Sequence, residues 1–167
     1  EEFRKSEKPL LMALGRNVKG EPVYANLSQM PHLLIAGATG SGKSVAIHAL
    51  ISSMLFRNSP EMLRLLLIDP KRVELTSYND LSHLLTPVIT EAKKAIVALK
   101  WLTKEMERRY EILLGEKCRD IGGYHRILAE VPDEKRADKD PMPYIVVVID
   151  ELADIMATYP REFEASI

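Results

Sequence analysis

The stretch HLLIAGATGSGKSVAIHAL, residues 32–50, constrains the fold more than any other part of the chain. A compact apolar run, His32 to Ala36, stands directly before a glycine-rich loop. Beyond the loop, Ile47, Leu50, Ile51, Met54 and Leu55 recur at steps of three and four. The first pattern predicts a buried strand, and the second lays one apolar stripe along a helix. Pro60 lies past that helix, and a second apolar run, LRLLLI from Leu63 to Ile68, closes on Asp69 and Pro70. Strand, helix, strand in this order is a parallel crossover unit, so the expected fold class is α/β, a mostly parallel sheet flanked by helices.

Gly37, Gly42, Lys43 and Ser44 satisfy the spacing G-x-x-x-x-G-K-[ST], set between a strand pattern and a helix pattern as that spacing demands. Glycines let successive backbone N–H groups turn inward toward phosphate oxygens, where a Cβ would obstruct the turn. The helix beginning near Lys43 adds its dipole and its unpaired amide donors. Lys43 is expected to reach the β- and γ-phosphates of a nucleoside triphosphate, and the Ser44 hydroxyl to ligate magnesium. The expected binding residues are Gly37, Ala38, Thr39, Gly40, Ser41, Gly42, Lys43, Ser44 and Val45. The competing reading is a plain flexible turn entering a helix.

The clearest strand pattern is YIVVVI, Tyr144 to Ile149, an unbroken apolar run of the kind covered on both faces in a layered parallel sheet. Asp150 and Glu151 follow it at once. Ligands of parallel sheets bind at the carboxyl ends of strands, which puts this pair beside the glycine loop. Asp150 is expected to hold magnesium through a water, as a Walker B aspartate does, and Glu151 to deprotonate or orient the water attacking the γ-phosphate. Lys43, Asp150 and Glu151 are thus the expected catalytic residues, and Ser44 and Asp150 the metal residues. Alternatively, Asp150 merely caps the helix ELADIM.

The longest periodic segment runs from about Glu91 to Leu114, with Ala92, Ala95, Ile96, Leu99, Leu102, Met106, Tyr110 and Leu113 at helical spacing. Thr90 is the expected cap, Glu91 suits the positive start and Gly115 the end; such a helix is about 36 Å long. Gly122 and Gly123 weaken any helix that follows. Between Glu130 and Asp140 charged residues dominate, with prolines at Pro132, Pro141 and Pro143, so a solvated loop is expected. At the other end, Glu1 to Lys8 is a charged lead-in. Leu10 to Tyr24, punctuated by Gly15, Gly20 and Pro22, reads as short strands joined by turns. Residues 1–25 are accordingly expected to belong to a small strand-rich subdomain and 26–167 to the main core.

A net charge of -1 lacks the positive excess of a protein that coats nucleic acid indiscriminately, so any such contact must be local. The single Cys118 excludes an internal disulfide and a multi-cysteine zinc site and fits a reducing interior. His32, His48, His83 and His125 lack metal-ligand spacing. No apolar run reaches the roughly 18 residues that a membrane helix needs, so a soluble segment is expected, with an anchor elsewhere in a longer chain left open. Asp69, Lys71 and Arg72 follow the second strand at the carboxyl edge, either sensing nucleotide or relaying its state to DNA, or else merely satisfying loop charges. The long helix carries Lys93, Lys94, Lys100, Lys104, Arg108 and Arg109 against Glu91, Glu105 and Glu107, which suits a solvated face, a phosphate contact or, for Arg108 and Arg109, a subunit interface. Trp101 and Tyr110 are expected in core or interface packing.

MPHLLIAGATGSGKSV, LLLIDPKRVEL, ALKWLTKEMERRY and YIVVVIDELADIM resemble, in order and spacing, the motor of the FtsK/SpoIIIE family of DNA translocases. The similarity runs from about Leu10 to Ile155, and IDPKRVEL and EMERRY are its more specific parts; LSHLL and GYHR depart from the usual pattern, away from the phosphate loop. The resemblance implies a RecA-like P-loop NTPase that hydrolyses ATP with Mg2+, assembles as a homo-oligomer, a hexameric ring, and pumps double-stranded DNA through it. Its setting would be chromosome segregation at bacterial division or sporulation, on the cytoplasmic side of the membrane. Related ring ATPases of conjugation or type VII secretion, and a nucleotide-binding scaffold without turnover, are the alternative readings. The fold of this class also places one further strand, later in sequence, between the strand before the glycine loop and YIVVVI. The chain, which starts without methionine, is therefore expected to be a truncation that natively continues past Ile167.

Overall fold

The computed structural model describes residues 2–30, 32–38 and 40–164. Thr39, one of the expected binding residues, lies outside them. The chain divides into two compact units, Glu1–Ser59 and Pro60–Ile167.

In the first unit a short helix α1 (Glu2–Lys5) precedes an antiparallel hairpin of β1 (Leu11–Arg16) and β2 (Pro22–Asn26). Pairing runs Leu11↔Asn26, Met12↔Ala25 and Ala13↔Tyr24, then slips at a bulge before Gly15↔Val23. The turn is held by Asn17, whose Oδ1 accepts from the amides of Lys19 (2.9 Å) and Glu21 (3.0 Å). Helix α2 (Lys43–Arg57) packs on β1, burying Ile47, Leu50, Ile51 and Met54, the stripe legible in the sequence. Each such burial stabilises by roughly 1.5–3 kcal/mol. At the same contact, Ser53 Oγ donates to Ala49 O (2.7 Å) and accepts from Ala13 N (3.2 Å), which ties the helix to the strand beside the bulge.

The second unit is built on β3 (Leu63–Ile68) and β4 (Tyr144–Ile149), parallel and in register from Leu63↔Tyr144 to Ile68↔Ile149. Residues 83–89 run parallel along the other edge of β3: Leu65 N donates to His83 O (2.8 Å), Ile89 N to Leu67 O (2.9 Å) and Asp69 N to Ile89 O (2.8 Å). Strand β3 is thus paired on both sides, and Leu63, Leu65, Leu66, Leu67 and Ile68 are all buried, with only Arg64 breaking the apolar run. Between the strands come α3 (Ala92–Gly115), α4 (Ile121–Glu130) and the single turn α5 (Asp133–Arg136); after β4 come α6 (Leu152–Thr158) and α7 (Pro160–Glu164). Leu66 and Ile68 of β3 join Ile89, Ala95, Ile96, Leu99, Ile155 and Phe163 in one core.

Several expectations are corrected. His32 to Ala36 is not a buried strand: 32–38 has no regular structure, and Leu34 is 81% exposed. A strand exists only against a hydrogen-bonding neighbour, and among the described residues none pairs with this segment. Glycines 122 and 123, expected to weaken a helix here, lie inside α4, which Asp120 caps by accepting from Gly123 N at 2.7 Å. The cap position of α3 is Glu91, not Thr90; Ala95 N donates to Glu91 O (3.0 Å), and the Glu91 carboxylate pairs with Lys94. The apolar stripe of α3 is buried only at Ala95, Ile96 and Leu99, since α6 and α7 cover only that half, and Trp101 and Tyr110 lie exposed, outside the core. No helix of the described residues is long and apolar enough to cross a membrane.

Candidate functional site

The glycine loop belongs to the first unit. Gly40 (φ +81°) and Gly42 (φ +93°) both take the left-handed conformation that an L side chain adopts only at a cost. Ser41 N donates to Ala38 O (3.0 Å), which folds the loop back on itself. Gly37 is tight for a different reason: a Cβ there would stand 2.1 Å from Ser41 Oγ, which a change of the Ser41 rotamer relieves, and 3.1 Å from Ser41 Cβ, which it does not. Gly42 is the N-cap of α2, and Ala46 N donates to Gly42 O (2.9 Å) as the first helical bond. No acidic residue lies in the first turn of α2, and its N-cap Gly42 brings no side chain, a helix start of the kind that suits an anion. Lys43 and Ser44 are half-buried on that turn, and Val45 is exposed.

The carboxylates belong to the second unit, at the carboxyl ends of β3 and β4. Asp150 N donates to Ile68 O (2.9 Å), so the ladder continues one residue past β4 and leaves Asp150 beside Asp69; both are buried. Asp69 spends its charge on its own loop: Oδ1 accepts from Arg72 N (2.8 Å), Oδ2 from Glu74 N (3.0 Å) and Leu75 N (2.9 Å). Of the two readings for Asp69, the satisfaction of loop charge is the one observed. Glu151 is the N-cap of α6 in a left-handed conformation (φ 52°), strain of the kind that collects at functional sites. Lys71 Nζ lies 3.3 Å from Glu151 Oε2 and 3.5 Å from Asp154 Oδ2. The hydrogen bond to Glu151 is the main cause holding the Lys71 ammonium above its ordinary pKa.

Taken by themselves, the backbone N–H groups at the start of α2 and the Lys43 ammonium are of the type that suits phosphate, and the Ser44 hydroxyl and the Asp150 carboxylate are each hard oxygen donors of the type magnesium takes. Sequence reasoning did not find Asp154 as a partner of Lys71, since only the parallel register of β3 and β4 brings the two together. The intrahelical pairing expected of the long helix is seen at Glu105, which pairs with both Arg108 and Arg109 at 2.7 Å. Arg108, and to a lesser degree Arg109, hold the Glu105 carboxyl down at about 2. Arg109 Nη1 also donates to Pro143 O (2.7 Å) and Arg108 pairs with Asp140, so the pair anchors the chain entering β4. His125 has a structural contact there, its Nε2 lying 2.9 Å from Met142 O.

The sequence profile of the FtsK/SpoIIIE family matches residues 1–167. The chain is 50% identical over 165 residues to the DNA translocase SftA of Bacillus subtilis, covering 99% of this chain and 17% of that protein. It is 53% identical over 154 residues to the DNA translocase FtsK of Treponema pallidum, covering 92% and 19%. It therefore spans about a fifth of the length of these curated relatives. Among solved structures, the cytoplasmic domain of the type VII secretion ATPase EccC of Thermomonospora curvata superposes with TM-score 0.78 at 26% identity, over 96% of this chain and 19% of that one. The pCW3 conjugation coupling protein TcpA, solved with ATPγS, gives 0.68 at 25% identity, over 99% and 43%. The α/β fold of the chain is the P-loop ATPase fold of these structures.

Proposed function

The chain belongs to the FtsK/SpoIIIE family, and on that premise we propose that it is the ATP-hydrolysing segment of a DNA translocase that moves double-stranded DNA. The observation that carries the reading is the glycine loop: left-handed Gly40 and Gly42 lead into the first turn of α2, which holds no acidic residue and suits an anion. In the proposed site, the amides of residues 37–45 cradle the phosphates and Lys43 balances charge on the β- and γ-phosphates. Ser44 and Asp150 are the residues that would hold Mg2+, which when bound neutralises the phosphate oxygens. Glu151, leading α6 from the carboxyl end of β4, orients or deprotonates the attacking water.

Residues 1–25 are assigned to a small strand-rich subdomain and 26–167 to the RecA-like core. The complete protein works as a hexameric ring on the cytoplasmic side of the membrane, in chromosome segregation at division or sporulation. The names of the relatives near 50% identity favour DNA as the cargo over the conjugation and secretion roles named for the two structural neighbours. ATP hydrolysis by the complete motor, measured with and without double-stranded DNA and with Glu151→Gln alongside, tests the proposal. DNA-stimulated hydrolysis that Glu151→Gln abolishes while nucleotide binding persists is the expected result. A wild-type rate indifferent to DNA would point to a protein exporter, and equal rates in both proteins to a scaffold without turnover.

A further inference from the structure

The turn after β3 carries two adjacent exposed cations, Lys71 and Arg72, at the same sheet edge as Glu151, because β3 and β4 end in register at Ile68↔Ile149. The base of the turn is rigid, since the buried Asp69 carboxylate accepts the amides of Arg72, Glu74 and Leu75. Its tip is open: Lys71 is half-exposed, Arg72 sits at φ 60°, and Val73 is 71% exposed. From that tip the Lys71 ammonium spans Glu151 and Asp154, the first and fourth residues of the turn that opens α6.

An ammonium 3.3 Å from Oε2 of Glu151 occupies an oxygen that a water-activating carboxylate needs. An exposed ion pair is also weak, biasing a two-state equilibrium by up to about fivefold, so a competing anion can undo it. DNA presents one negative charge per roughly 1.7 Å of duplex, a stronger lure than two carboxylates already sharing one cation. We propose that Lys71 is a brake on Glu151: the ion pair withholds the carboxylate from the attacking water, and DNA engaging the Lys71–Arg72 turn draws the ammonium away. Lys71 is on this account a positioning residue that acts through Glu151, and the inference rests on the hydrolytic role proposed for Glu151 above.

The test uses the complete motor. Basal and DNA-stimulated ATP hydrolysis are measured for wild type, Lys71→Met, Lys71→Arg and Glu151→Gln. The expected result is a basal rate up to about fivefold higher in Lys71→Met, with the stimulation ratio reduced by the same factor, and near-wild-type behaviour in Lys71→Arg. A merely structural pair would leave that ratio unmoved. A basal rate in Lys71→Met that is unchanged or lower, or a stimulation ratio that does not shrink, overturns the brake. Failure of the underlying reading looks different: wild type and Glu151→Gln then hydrolyse ATP at equal rates, or DNA has no effect on wild type.

Discussion

Replacing Asp69 by alanine isolates what fixes the turn behind the site. The carboxylate is fully buried and accepts from Arg72 N at 2.8 Å, Glu74 N at 3.0 Å and Leu75 N at 2.9 Å. A hydrogen bond to a charged acceptor contributes about 1.5–3 kcal/mol. Because the bonds share one acceptor group their effects overlap, and about 3–5 kcal/mol of local stabilisation is the expected loss. At about 1.4 kcal/mol per factor of ten, opening of residues 72–75 becomes at least about a hundredfold more frequent. Amide hydrogen exchange in the complete motor reads this directly. Glu74 and Leu75 should show the largest acceleration, and Arg72 less, because its amide also lies 3.2 Å from Asp69 O. Asp69→Asn, keeping one acceptor oxygen, should fall between. Exchange at residues 74 and 75 within about twofold of wild type in Asp69→Ala would refute the assignment, because an unsatisfied buried donor costs more than that.

Gly42→Ala should weaken binding of a fluorescent ATP analogue by about tenfold with the fold intact, because a Cβ there meets nothing within 4 Å and the cost is the left-handed backbone alone, about 1–2 kcal/mol. Asp120→Ala should cost about 1 kcal/mol and speed exchange across residues 121–126, since it removes the acceptor of Gly123 N from a helix opened by two glycines. Glu105, held at about 2 from an ordinary 4.5 by Arg108 and Arg109, stabilises the fold fully above pH 4.5 and loses that contribution as pH falls toward 2. Melting temperatures of wild type and Glu105→Gln should therefore differ most near neutral pH and converge on the acid side.

The elements legible in advance are those whose pattern is self-sufficient. The stripe Ile47, Leu50, Ile51 and Met54 demands a helix wherever it packs, and LRLLLI and YIVVVI demand burial as strands; β3 obtains it on both faces, while most of β4 is only partly buried. HLLIA has the same apolar character without the outcome, because strand formation is a property of a pair and periodicity says nothing about the neighbour. Helix α4 was obscured by Gly122 and Gly123, although the Asp120 cap that offsets them could be read three residues before Gly123. In the first unit, glycine at 40 and 42 announced the left-handed turns; in the second, Asp150 and Glu151 follow β4 directly, at its carboxyl end. The link from Lys71 to Glu151 was not legible. Eighty residues separate them, and only the parallel register of β3 and β4 makes them neighbours.

The central claim is that the Gly37–Val45 loop and the Asp150–Glu151 pair serve one nucleotide. A structure of the complete motor with magnesium and a non-hydrolysable ATP analogue tests it most directly. The account predicts Lys43 on the β- and γ-phosphates, the Ser44 hydroxyl on the metal, Asp150 reaching that metal through a water, and Glu151 facing the water beyond the γ-phosphate. A nucleotide bound away from the glycine loop, or bound there with Asp150 and Glu151 remote from its γ-phosphate, would contradict it.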